Sequence, residues 1–270
     1  MERRCRTRTG FTFILLGLAG AALAALLLGP AVYDRISREG AGARPPGYSG
    51  SESCRPCHEE FYARWAPSRH GRAMQPYSDD FALRELAAQT DPITIGESEY
   101  RAAIGEGQGW VVERGPRGRW QHPIRHVLGG KNVYYFLTLL DRGRLQTLPV
   151  AYDVRRKEWF DTAASGMRHF REMREEEVFW QEHAYTFNTS CHGCHVSQLA
   201  VNYDANTDSY ATAWLEPGIN CETCHGPGEE HVRLARAAGG ATLPDPKILR
   251  MREDLDTGRR NDACASVMRN

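Results

Sequence analysis

The sequence predicts a mostly α-helical chain with much irregular structure, a small β-rich insert and an N-terminal transmembrane helix. Three observations lead to this fold class. An uncharged run fills residues 11–32, cysteine and histidine motifs recur on short segments with a helical pattern, and β-rich runs are confined to residues 93–160. Helix and strand patterns cover only part of the chain, so we expect extensive irregular structure between them.

The N-terminal run is long enough to cross a hydrocarbon core as a helix. Four arginines precede it within residues 1–10, so the positive-inside rule leaves those residues in the cytoplasm and exports the rest. A cleaved signal peptide has a shorter apolar run and a small-residue cleavage site. We therefore predict an uncleaved anchor at residues 11–32, with a signal peptide as the alternative. Residues 33–50, rich in Gly, Pro and Arg, are expected to form a linker.

One pentad, Cys-x-x-Cys-His, occurs three times, and it is the attachment pattern of c-type haem. The two thiols form thioether bonds to one porphyrin, and the histidine becomes an axial ligand of its iron. We therefore predict three covalently bound haems c. The expected attachment residues are Cys54, Cys57, Cys191, Cys194, Cys221 and Cys224, and the expected axial ligands are His58, His195 and His225.

Two other kinds of site also use Cys-x-x-Cys pairs. A structural zinc site joins two pairs, but it gives no reason for a histidine after every second cysteine. Redox dithiol chemistry needs one pair beside a βαβ pattern, and three pairs occur here without it. Haem is therefore the favoured interpretation. It also agrees with export, because c-type haem is attached outside the cytoplasmic membrane.

Residues 51–270 are predicted to form a single multihaem cytochrome c domain. The first motif is predicted to lie on a short helix that ends before Pro67. The β-rich insert at 93–160 contains runs of β-branched and aromatic residues, with a hairpin connection at 141–144. We interpret this insert as a structural subdomain that shields a haem, with a partner or substrate surface as the alternative.

Seven histidines remain after the three motif ligands, and some can supply the second axial ligands. His70 follows His58 after a short stretch of chain, and His231 follows His225 after an even shorter one. Both are too close in sequence to reach the opposite face of their own haem easily. We expect each to bind a neighbouring haem, and His183 is the third candidate.

Two segments resemble the multihaem cytochrome c-554 family: residues 50–70, which contain the first motif and Trp65-Ala-Pro-Ser-Arg-His70, and residues 221–231, Cys-Glu-Thr-Cys-His-Gly-Pro-Gly-Glu-Glu-His. Residues 143–153 and 202–204 are similar to relatives that are often fused to tetratricopeptide repeats. The resemblance extends from about residue 50 to the end. It implies a periplasmic electron carrier or a relative of haem-containing reductases, with His70 and His231 as distal ligands.

The C-terminal segment raises a separate hypothesis. In this family a further motif is expected where Cys264-Ala-Ser-Val-Met-Arg-Asn270 stands. If residues 267–270 are encoded as GTC ATG CGC AAC, one added T before the codon of Val267 turns this segment into Cys-Ala-Ser-Cys-His. We hypothesise a frameshifted or truncated product whose intact parent carries a fourth haem. In the alternative, Cys264 is a stray thiol.

The leading functional prediction is electron transfer by three haems in a domain tethered to the cytoplasmic membrane and located in the periplasm or outside. The expected partners are redox proteins, including quinol-linked donors. The formal charge of zero argues against a nucleic-acid surface. The alternative is a multihaem oxidoreductase that acts on small nitrogen or sulfur compounds at an open haem. We expect a carrier rather than a catalyst.

Overall fold

Two antiparallel sheets form the centre of the structure. The computed structural model describes residues 45–105, 107–165 and 179–266. The larger sheet has strand order β1-β6-β7-β9-β10, with β8 paired to β7, and the smaller is the meander β2-β3-β4-β5. The strands are β1 Met74–Pro76, β2 Ile93–Ile95, β3 Ser98–Ala103, β4 Trp110–Gly115, β5 Gly118–Pro123, β6 His126–Gly129, β7 Val133–Leu139, β8 Leu145–Thr147, β9 Val150–Asp153 and β10 Glu158–Asp161.

The larger sheet is buried on both faces because side chains alternate along its strands. On one face, Val127 and Phe136 pack into a cluster that reaches the smaller sheet. On the other face, Leu128 and Leu137 pack into a second cluster with Phe187. The second cluster includes residues next to the second motif, so this sheet provides the surface against which that motif is held.

The helices are short and mostly lie outside the sheets. They are α1 Glu59–Trp65, α2 Asp79–Glu85, α3 Phe187–Ser190, α4 His192–His195, α5 Cys221–His225, α6 Glu229–Ala238 and α7 Thr257–Ser266. Two further pairs of antiparallel strands have two residues in each strand. They are β11 Val196–Ser197 with β14 Glu216–Pro217, and β12 Tyr203–Asp204 with β13 Ser209–Tyr210. Three of the helices belong to or directly follow the pentads.

The prediction of a mostly α-helical fold is wrong. The structure is mixed, with about as many residues in antiparallel strands as in helices. The strands between residues 93 and 161 contribute most of the buried core, so they are more than a small insert. The prediction that the first motif lies on a short helix is also wrong, because that helix begins only after the motif, at Glu59. The second and third motifs form helices of four and five residues that bury little.

The predicted transmembrane helix at residues 11–32 lies outside the described residues, as do residues 1–10 and the linker up to residue 44. Across the ranges that are described, no helix is both long enough and apolar enough to span a bilayer. Residues 267–270 of the frameshift hypothesis also lie outside the described part of the chain.

Candidate haem-binding site

The second and third pentads lie on short helices, and the first forms a turn in which the His58 N–H donates a hydrogen bond to the Cys54 carbonyl at 3.0 Å. The first follows the 3-10 helix Ser51–Ser53 and leads into α1, the second includes α4, and the third is α5. In a helix, positions i, i+3 and i+4 share one face. In the second and third pentads the first cysteine, second cysteine and histidine occupy these positions, so helix geometry places two thiols and one imidazole toward the same side.

The third pentad shows how the sequence fixes its local helix. Asn220 is the N-cap residue of α5, and its side-chain oxygen accepts a hydrogen bond from the Thr223 N–H at 2.9 Å. At the other end, Gly226 adopts a positive φ of 78° and ends the helix directly after His225. The helix is therefore confined to the five residues of the motif.

Three of the predicted ligands share one hydrogen-bonding arrangement. The Nδ1 atom of His195 lies 2.5 Å from the Ala73 carbonyl oxygen, that of His225 lies 2.8 Å from the Leu249 oxygen, and that of His231 lies 2.7 Å from the Pro246 oxygen. A carbonyl can only accept, so each Nδ1 carries the proton and each Nε2 keeps its lone pair. This is the tautomer that a metal-binding imidazole needs, and the carbonyl also fixes the ring orientation.

Burial also favours the neutral form of His195. Burial lowers the pKa of its imidazole, and the hydrogen bond to the Ala73 carbonyl raises the pKa by a smaller amount. The ordinary pKa of histidine is already below 7. His195 is therefore neutral at neutral pH, which is the protonation state that can bind iron.

The imidazole rings of His58 and His231 lie close together, although most of the described chain separates them in sequence. Their ring centroids are 6.3 Å apart and their planes are inclined by 22°. Two imidazoles that bind one iron from opposite sides have ring centres about 6 Å apart, since each metal–nitrogen bond of roughly 2 Å is followed by about 1 Å to the ring centre. The separation therefore fits two axial ligands of the same iron.

The first and third pentads are in contact. The Cys54 thiol shares a hydrogen bond with Cys221, which raises the pKa of Cys54 and lowers the pKa of Cys221 to about 6. The buried Glu222 carboxylate accepts hydrogen bonds from the Ser49 N–H at 2.9 Å and the Gly50 N–H at 2.7 Å. It also accepts one from the Gly228 N–H at 2.7 Å. Glu222 thus joins the chain before the first motif to both ends of the third.

The second and third pentads are also in contact. The Gly218 N–H donates to the His195 carbonyl at 2.9 Å, and the hydroxyls of Ser197 and Thr223 lie 2.9 Å apart. The Asn220 amide donates to the Gln198 side-chain oxygen at 2.7 Å. The third pentad is therefore adjacent to both of the others.

His70 lies beside the chain that leads into the third pentad. Its carbonyl accepts a hydrogen bond from the Ile219 N–H at 2.8 Å, and its side chain is exposed. The two backbones approach so closely at Gly218, where φ is 80°, that an added Cβ would lie 2.9 Å from the His70 oxygen. His70, which follows α1 in sequence, therefore lies beside the chain that joins the second and third motifs.

His183 occupies a different environment. It starts the 3-10 helix His183–Tyr185, a short distance before the second pentad, and its side chain is exposed. The pKa of the nearby Asp208 carboxyl is lowered mainly by the Tyr203 hydrogen bond and by Arg142, and His183 makes only a smaller contribution. The structure brings His58 together with His231, but for His183 it gives only this surface position.

Sequence reasoning missed the groups that orient the imidazoles. The carbonyls of Ala73, Pro246 and Leu249 are backbone atoms on distant segments, so no residue type marks them. It also missed Glu222, which occupies a variable position inside a pentad and has only 2% of its surface exposed. Asn220 could have been found, because asparagine before a helical motif is a typical N-cap.

The residues around the pentads fit a porphyrin. Cys57, Cys194, His58 and His225 are exposed, and helices α1 and α6 contain no buried residue. Phe61 on α1 has 71% of its surface exposed. A large apolar ring seated on each pentad would cover these faces, and the thiols and imidazole of each motif are the donor set that covalent haem requires.

A family model described as cytochrome c554 and c-prime matches residues 53–99 and 154–226. Its two segments contain all three pentads. The match supports a c-type cytochrome. Among solved structures, the outer cell wall cytochrome OcwA is similar at 19% identity with a TM-score of 0.43, over 74% of this chain and 35% of that one. This chain thus spans about a third of that protein. No curated protein matches the chain.

Proposed function

We propose that this chain carries electrons outside the cytoplasm through three haems c, one on each pentad. The observation that carries the proposal is the His58–His231 pair, whose 6.3 Å separation fits two ligands of one iron. A bound haem supplies a one-electron iron couple whose potential depends on its axial ligands and its exposure. The family match, which includes every pentad, supports the same class of function.

The chain's own residues have two roles in this proposal. The six motif thiols hold the porphyrins, and the imidazoles of His58, His195, His225 and His231 bind from fixed directions. At the last three, the backbone carbonyls keep Nε2 available and increase the basicity of the ring. His70 and His183 complete the proposed set of distal ligands; the position of His70 beside residues 218–219 favours a haem on the second or third pentad.

The proposed order of the carriers in space is first, third, second. The contacts of the third pentad with both others support this order, through Cys54 and Cys221 on one side and Ser197 and Thr223 on the other. Exposed motif residues at Cys57 and Cys194 would leave porphyrin edges accessible at both ends of the relay. Redox proteins are therefore the proposed partners.

The test is the spin state of the purified, haem-loaded protein. We expect low-spin spectra and no change on addition of cyanide or nitrite. In His231→Ala, one haem should become high-spin and bind cyanide. His192→Asn is the matched control, because His192 lies inside a pentad but at a variable position, and it should leave the spectra unchanged. A high-spin haem that binds nitrite in the unaltered protein would instead favour an oxidoreductase.

A further inference from the structure

A cavity of 420 Å³ lies between the smaller sheet and the residues that follow β10. This volume is within the range of about 300–1,000 Å³ that is typical of small-molecule sites. Tyr100 and Glu113 line it from the sheet, and Asp161 and Trp180 line it from the opposite side. No pentad residue is among the described residues that line it, so it is separate from the haem-binding site.

Aromatic rings form much of the cavity wall. Tyr100, Trp180 and Tyr185 are buried and form its inner part. Trp120 and Phe179 also line it, and each is 40% exposed, which places them at its mouth. The faces of such rings carry partial negative charge and attract cations, most strongly where water is excluded.

Carboxylates line the same cavity. Among the described residues that line it, Glu97, Glu113 and Asp161 outnumber the one cation, Arg117. Glu113 is 6% exposed and is held by His122 Nε2 at 3.0 Å, by the Ser98 hydroxyl at 3.5 Å and by a hydrogen bond with Tyr100. A carboxylate can accept about four hydrogen bonds, so these three contacts leave it able to interact with a ligand.

We propose that this cavity binds a small organic ammonium cation. Aromatic faces attract a positive charge without offering it lone pairs, so they favour an alkylated ammonium over a bare metal ion. The carboxylates disfavour an anion by like-charge repulsion. The site does not depend on the proposed electron transfer, since it uses residues of the smaller sheet and its neighbours.

The probe is choline, and its matched control is 3,3-dimethylbutan-1-ol, which has the same shape without the charge. Isothermal titration of the haem-loaded protein should give a saturable isotherm for choline and an affinity at least about tenfold lower for the neutral analogue, a difference of about 1.4 kcal/mol. Equal affinity for the two compounds, or no binding of choline, would overturn the proposal.

Variants locate the binding. Trp120→Leu removes an aromatic face at the mouth, and Glu113→Gln removes the buried charge; each should weaken choline binding about threefold or more. Glu99→Gln is the matched control, because Glu99 is exposed on the opposite face of β3 and should leave binding unchanged. Trp120 is partly exposed, so that variant decides the question even if Glu113→Gln does not fold. Unchanged binding in Trp120→Leu would contradict the proposed site.

Discussion

The two halves of this molecule are stabilised in different ways. The sheets contain most of the largest fully buried side chains, among them Phe136, Tyr152 and Leu137. In contrast, residues 52–73 contain no buried residue, and residues 221–262 bury only Glu222 and Gly228. The segments that carry the first and third pentads are instead held by buried polar contacts and, in our proposal, by porphyrins. We therefore expect the sheets to be stable without a cofactor and these segments to depend on one.

The largest expected effect follows from withholding haem. In haem-free protein, amide hydrogen exchange should remain slow in β6 and β7, because their side chains are buried against protein on both faces. Exchange in residues 52–73 and 221–262 should approach the rates of an unfolded chain. Equal protection of both regions, or loss of both together, would show that the two halves do not differ in this way.

The next effect compares two phenylalanines. Phe136 is fully buried between the sheets, and Phe136→Ala should lower the free energy of unfolding of the haem-free protein by about 3–5 kcal/mol. Phe61 is 71% exposed on α1, and Phe61→Ala should change the same free energy of unfolding by less than about 0.5 kcal/mol. Urea unfolding followed by circular dichroism measures both. Similar values for the two variants would refute the comparison.

Smaller effects are expected from the polar contact that joins the first and third motifs. Glu222→Gln replaces an acceptor of three backbone N–H groups, and it should destabilise the haem-loaded protein by about 1–3 kcal/mol. The same substitution should increase the rate of amide hydrogen exchange at residues 47–51, whose N–H groups at Ser49 and Gly50 donate to Glu222. Glu230→Gln is the control, since Glu230 forms only a surface ion pair with Arg233 and should cost under about 1 kcal/mol.

The smallest effect should be confined to one carrier. His231→Met keeps a sixth ligand but replaces imidazole with a thioether, which raises the reduction potential of the haem that it binds. Spectroelectrochemical titration should show one potential raised and the other two nearly unchanged. A uniform shift of all three would contradict the pairing of His231 with His58 alone.

The difference between the two halves also determines what sequence could predict. The pentads are recognisable because their chemistry requires a fixed spacing within five residues. The pairing of His58 with His231 joins positions near opposite ends of the described chain, so no local pattern contains it. The carbonyl partners of His195 and His225 also lie on separate segments and carry no side-chain signal.

The extent of the β structure was underestimated for a physical reason. Val127 and Leu128 are neighbours on β6, yet both are buried because they pack into different clusters. A strand buried on both faces lacks the alternation of apolar and polar residues that identifies a half-exposed strand. The helices near the pentads have a pattern that is easier to recognise in the sequence, but they contribute little to the core.

The most direct test is to count and locate the haems on the exported protein. The pyridine haemochrome assay should give three haems per chain, and mass spectrometry of proteolytic peptides should find one on each of the segments containing Cys54–Cys57, Cys191–Cys194 and Cys221–Cys224. Cys264→Ser should leave this count unchanged. A mature protein with fewer haems, or with a pentad that carries none, would contradict the proposed three-haem relay.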